Sequence, residues 1–179
     1  MNERLEKSPY LHVGMRNLKT ALAATLCALL YFPFKRNPTF ACIGAIFGMG
    51  SDMRNSWLNG GNRLFGTIIG GFIGMGLFHV YVQIYPRGET RLLLFPLLFV
   101  GVILLVQSCL FFKWPGGIQP GGVVLCIILF NTPVDTYVSY SLNRMLDTGI
   151  GVIIALLINL LLPRERVLRW METVRGANH

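Results

Sequence analysis

The sequence predicts an all-α membrane protein of six transmembrane helices, built as two inverted three-helix repeats in which the second and fifth helices are short. Three observations carry this expectation. Hydrophobic residues make up 53% of the 179 residues and charged residues only 13%, against about 25% charge in a soluble domain. The apolar residues lie in long blocks without a wet face, as a helix surrounded by lipid or by other buried helices requires. A polar-and-glycine motif in the first half of the chain returns, in register, in the second.

The first segment spans about Leu18 to Phe34. Its basic approach and Ala-rich start superficially resemble a secretion signal, but further spans follow and it reads as an uncleaved first helix. The second segment covers about Pro38 to Ser51, the third Arg63 to Tyr85, the fourth Arg91 to Phe112, the fifth Ile118 to Asn131 and the sixth Asn143 to Leu162. The third, fourth and sixth are long enough, at about 1.5 Å per residue, to cross roughly 30 Å of hydrocarbon. The second and fifth reach only about 21 Å. They open beside Pro38 and the stretch "WPGGIQPGG", so they are expected to be short, tilted or broken, with the freed backbone groups held by protein or by a wet cavity.

The matching motifs are "NRLFGTIIGGFI" from Asn62 to Ile73 and "NRMLDTGIGVII" from Asn143 to Ile154. They divide the chain into a repeat over 18–85 and a second over 91–162, flanked by an N-terminal segment, 1–17, and a short basic tail, 163–179. Each repeat holds an odd number of spans, so the second enters the membrane from the opposite side. Inverted repeats of this kind build many transporters, with sites near the midplane where discontinuous helices meet. The short second and fifth segments hold equivalent places in the two halves.

The formal charge of +8, from 16 Lys and Arg against 8 acids, is compatible with nucleic acid, anionic lipid or an anionic cargo. The basic residues lie in links and tails rather than in a stripe with aromatic platforms, which excludes a nucleic-acid binder. With six spans, Arg4, Lys7, Arg16, Lys19, Arg54, Arg63, Lys113 and the tail arginines share one side, against Lys35, Arg36, Arg87, Arg91 and Arg144 on the other. The positive-inside rule then puts both termini in the cytoplasm. The four cysteines fall inside apolar blocks without paired spacing or His partners, so neither a disulfide framework nor a metal site is expected. No nucleophile with its base and no phosphate loop is legible; an enzyme and a cofactor have no support.

The candidate site residues are polar positions within the spans. Arg63, Thr67, Gly70 and Gly74 fall on one face of the third span, and Arg144, Thr148 and Gly151 repeat that face in the sixth, extended by Asn159. Gly66, Gly70 and Gly74 form overlapping GxxxG steps, whose first reading is close helix packing. Asn159, deep in an apolar span, serves equally as packing glue or pathway lining. Both arginines are expected where their helices begin, adding their charge to the positive end of the helix dipole, an arrangement that attracts anions. The competing reading is that Arg63 snorkels to headgroups and Arg144 pairs with Asp147, three residues on. Asp147, costly inside a span, needs a partner. Lys19 and Arg54 flank spans, either as orientation anchors or as part of the path.

The run from Ala41 to Gly71, with Asn143 to Asn159, resembles the aromatic acid exporter and fusaric acid resistance family. The likeness rests on Asn55, Ser56, Gly61, Asn62, Arg63, Gly66, Thr67 and Gly70, then Arg144, Asp147, Thr148 and Gly151. It implies a bacterial inner-membrane protein that exports aromatic or other organic acids, often as a homodimer. The family is distantly similar to plant aluminium-activated malate channels, which makes an anion channel as compatible as a pump. The alternative is a non-transporting scaffold or lipid-binding partner whose small-residue stripes serve assembly alone.

Overall fold

A computed structural model describes residues 15–86, 88 and 91–162. The basic N-terminal approach and the tail, 163–179, lie outside the described residues. Six α-helices follow in order, α1 (Met15–Tyr31), α2 (Thr39–Gly48), α3 (Met53–Ile84), α4 (Leu94–Phe111), α5 (Ile118–Asn131) and α6 (Tyr137–Leu161), and no strand occurs among the described residues. Single 3₁₀ turns, Arg91–Leu93, Pro115–Gly117 and Val134–Thr136, lead into α4, α5 and α6. Four stretches are long and apolar enough to cross a membrane: Met15–Phe34, Met53–Ile84, Leu94–Phe111 and Val134–Leu161. The shorter apolar helices are α2 and the stretch Pro115–Asn131.

Two helices begin earlier than the hydrophobic pattern implies. Asp52 accepts a 2.8 Å hydrogen bond from the Asn55 backbone N–H and so caps α3 at Met53. This makes the polar stretch from Asn55 to Asn62 the first turns of a 32-residue helix. The α6 helix likewise starts at Tyr137, ahead of Asn143. Arg63 and Arg144 therefore stand well inside their helices rather than at the starts, and their own helix dipoles add little to their charge, since that effect fades within the first turn. Hydropathy misses both starts because polar residues there face a cavity or an exposed end rather than lipid.

Contacts at glycines fix the packing. A Cβ on Gly66 or Gly70 would overlap the carbonyl oxygens of Gly117 and Gly121, and one on Gly74 would sit 3.2 Å from Ile128, so α3 and α5 run side by side in the same direction. A Cβ on Gly151 would overlap the Ala41 carbonyl oxygen, and one on Gly44 would meet the Thr148 carbonyl oxygen at 2.7 Å, so α2 and α6 are likewise parallel and close. Small residues let these backbones touch, the usual basis of helix association in lipid. The α3 and α6 helices cross antiparallel in the middle, with Gly60 against Val152 and Gly71 against Met145. On the outside, α1 packs on α2 and α6, while α4 packs on α5 and α3.

Two cores result. One joins Ala23, Cys27, Ala41, Ala45, Met49 and Ala155 between α1, α2 and α6. The other joins Phe78, Leu94, Leu125, Ile128 and Leu129 between α3, α4 and α5. The short helices α2 and α5 barely touch each other. A cleft floored by α3 and α6 runs between them.

Candidate functional site

Three cavities occupy this cleft. We call the face at which α1 begins the near face and the face at which it ends the far face. The near-face cavity, about 350 Å³, is lined by Asn59, Asn62 and Arg63 of α3, by Gly116, Gln119, Pro120 and Val123 around the start of α5, and by Phe47 of α2. The far-face cavity, about 390 Å³, is lined by Arg36, Asn37, Thr39 and Phe40 around the start of α2 and by Tyr140, Asn143, Arg144 and Asp147 of α6. Between them a central cavity of about 210 Å³ is walled by Phe40, Ile43, Phe47, Val123, Val124 and Ile127, with Arg63, Arg144 and Thr148 supplying its polar groups. The central cavity shares Phe47, Arg63 and Val123 with the near-face cavity and Phe40 and Arg144 with the far-face one.

Each outer cavity thus combines an arginine, an adjacent asparagine and the start of a short helix. Pro38 and Gly117, which precede α2 and α5, offer no side-chain cap, though Asn37 Oδ1 accepts from the Thr39 backbone N–H; the positive ends of these two helices, rather than those of α3 and α6, face the cavities. Both arginines lean on aromatic rings. The Arg63 guanidinium carbon lies 5.3 Å from the centre of the Phe47 ring, and Arg144 is stacked between Phe40 and Tyr140. Arg144 is only 7% exposed and donates to the Tyr140 hydroxyl, yet its Nε and Nη1, like Arg63 Nε, have no hydrogen-bond partner among the described residues. A buried guanidinium with donors to spare has capacity for an anion.

Asp147 does not pair with Arg144. It accepts 2.6 Å and 3.0 Å bonds from the Tyr31 hydroxyl and Arg36 Nη2, making the only salt bridge among the described residues. Lys19 and Asn159 form a separate buried cluster away from the cleft. Lys19 Nζ donates to Asn159 Oδ1 at 2.9 Å, Asn159 Nδ2 donates to Ser56 Oγ at 2.8 Å, and Ser56 Oγ accepts from the Gly50 backbone N–H at 2.8 Å. This chain ties α1, α6 and the α2–α3 turn together.

Of the polar candidates, the cleft therefore gathers Arg63, Arg144 and Thr148, with Asp147 at its far face. Arg54 is exposed at the start of α3, and Thr67 is fully buried with its hydroxyl unbonded among the described residues; neither lines the three cavities. Gly66, Gly70 and Gly151 lie against the backbone of a neighbouring helix, and Gly74 against the Ile128 side chain. Arg36, Tyr31, Phe40, Phe47 and Gln119 were not singled out from the sequence. For the two phenylalanines a signal existed: they are seven residues apart on one face of α2. For Arg36 there was none, because its partner lies on α6. The described residues hold no group of three or more His, Cys, Asp or Glu able to ligate a metal ion.

No curated protein and no solved structure matches the chain. The family described as aromatic acid exporter family member 1 matches residues 11–162, which takes in all six helices. With its apolar spans and that match, the chain is a multi-pass membrane protein that belongs to the aromatic acid exporter family.

Proposed function

We propose that the protein passes small aromatic or related carboxylate anions across a bacterial inner membrane, along the cleft between α2 and α5. The observation that carries this reading is the succession of three cavities joined through Arg63 and Arg144. The central one is small beside typical ligand pockets of about 300–1,000 Å³ and suits a single ring. Its apolar walls can cover that ring while an arginine at either end receives the carboxylate. A small inorganic anion would give up water against those walls for only one or two charged hydrogen bonds, so selectivity for a ring-bearing carboxylate follows.

The reciprocal packing supports an inverted repeat. The α2 helix lies on α6 as α5 lies on α3, and α1 packs on α2 and α6 as α4 packs on α5 and α3; in this reading a two-fold axis in the membrane plane relates Arg63 to Arg144. The near face, where α1 begins, is the cytoplasmic one in this reading, following the basic residues. Because α2 and α5 leave the cleft open along one side, a second copy of the chain would close it, and a homodimer is the expected assembly.

The test is benzoate flux through the purified protein in liposomes. Wild type should pass benzoate at a rate far above empty vesicles, and Arg63→Gln with Arg144→Gln should reduce that rate by at least about tenfold, the loss of one or two charged hydrogen bonds of about 1.5–3 kcal/mol each. Unchanged flux in the double variant would take the arginines out of the mechanism. Absence of wild-type flux under any gradient would remove the transport reading.

A further inference from the structure

The two ends of the cleft differ in charge arrangement: the far-face cavity holds a second arginine, Arg36, together with a carboxylate of the protein itself. Asp147 lines that cavity, is 6% exposed, and is held by Tyr31 from α1 and Arg36 from the α1–α2 link. Arg36 reaches across to Asn143 as well, at 3.2 Å. The remaining charged group there is Arg144, whose Nη2 is turned to Tyr140. No acidic residue lines the near-face cavity, where Arg63 stands with Asn59, Asn62 and Gln119. In the aligned motifs the position of Asp147 is taken by Gly66, which has no side chain to offer.

We propose that Asp147 is a built-in rival of the transported carboxylate, holding Arg36 while the far-face cavity is empty and thereby setting a low anion affinity at that end. The inference rests on the transport reading above. A carboxylate leaving Arg144 toward the far face meets Arg36 with its Nη2 already bonded to Asp147 and Asn143 and its charge already paired with a group of the same chemistry. To take Nη2 it must displace Asp147, which then loses a charge-assisted hydrogen bond. An anion entering at the near face meets no such competitor. The route is therefore tight at the near face and loose at the far face, and sites weak enough to be vacated are what sustained conduction needs. Arg36 is 47% exposed at its side chain, whereas Arg144 is 7% exposed and lies against two rings. Asp147 is in this view an affinity-setting residue.

The experiment measures half-saturating benzoate concentration from each face, in right-side-out and inside-out vesicles, for wild type, Asp147→Asn and Asp147→Ser. The expected result is a fall of about three- to tenfold for benzoate offered at the far face, with the near-face value unchanged. An unchanged far-face value overturns the proposal, and so does an equal change at both faces, which is what a purely structural role produces. Failure of both variants to give a monodisperse folded protein assigns the carboxylate to folding and overturns it as well. A flux-independent readout separates this from the transport reading: benzoate should raise the melting temperature of detergent-purified Asp147→Asn more than that of wild type. If wild type passes no benzoate yet this difference holds, the transport reading fails and the competition stands; if the rise is equal in both proteins, the competition fails.

Discussion

Lys19 is an ammonium group 3% exposed in the interior of a membrane protein, and the partner it finds is a neutral amide, Asn159. Among the described residues no carboxylate lies within salt-bridge distance of it. Replacing Asn159 by Leu removes the acceptor and leaves that charge buried alone, so Asn159→Leu should lower unfolding stability by about 1–3 kcal/mol, more than Lys19→Met, which removes the charge itself. Denaturant unfolding in detergent of the two variants checks the order. Asp52 behaves differently because it is fully exposed at the α3 cap. The Asn55 backbone N–H, with help from the Asn55 and Ser51 side chains, holds its carboxyl below the usual carboxylate range. A depressed acid stabilises the fold in full above its unfolded value and loses that contribution as pH falls through the folded one. Asp52→Ala should thus lower the melting temperature at neutral pH, and the gap to wild type should close below about pH 4. The polar positions of the site were legible as residues but not as partners. Asn159, Arg63, Arg144 and Asp147 stand out as polar groups in apolar blocks, whereas Asp147 could be paired with Arg144 only on sequence proximity, and its true partners are Tyr31 and Arg36, more than 100 positions away.

The helices show the same division between local and distant information. The existence of six, with the second and fifth short, could be read from block length and from Pro38 and the Pro115–Gly117 turn. The starts of α3 and α6 could not, because the hydropathy of a span ends where its lipid-facing surface ends, while helical hydrogen bonding continues into the polar cavity lining. Glycine spacing announced close packing without saying which helix would lie against which glycine. The contacts now make contrasting expectations possible along α3. Gly70 touches the backbone of α5, which cannot yield without moving the helix, so Gly70→Ala should destabilise by about 1–3 kcal/mol. Gly76, six residues on in the same helix, has nothing within 4 Å of its would-be Cβ. There Gly76→Ala should be neutral or stabilising by up to about 1 kcal/mol, the ordinary helix-propensity gain. Thermal unfolding of the two single variants separates these expectations, and equal effects would mean that α3 and α5 do not meet at Gly70.

For the whole molecule, what matters is that two short helices which scarcely touch leave a cleft, and that the two long helices beneath it each bring one arginine into it. Short helices at the centre of a membrane protein are otherwise a liability, since their ends expose backbone groups at depth; here those ends open into cavities. In the proposed reading an anion crosses this cleft, and the central cavity is the smallest of the three stages. Val123 marks that stage. It is 49% exposed, so a larger side chain can be accommodated without disturbing the core, and it lies where the near-face and central cavities join. Ile153, 56% exposed on α6, lines none of the three cavities and provides the matched control. The decisive measurement is the initial rate of benzoate flux from liposomes carrying equal amounts of folded Val123→Trp or Ile153→Trp. Passage through the cleft requires flux to be lost in Val123→Trp and retained in Ile153→Trp; equal flux in the two would show that the anion travels elsewhere.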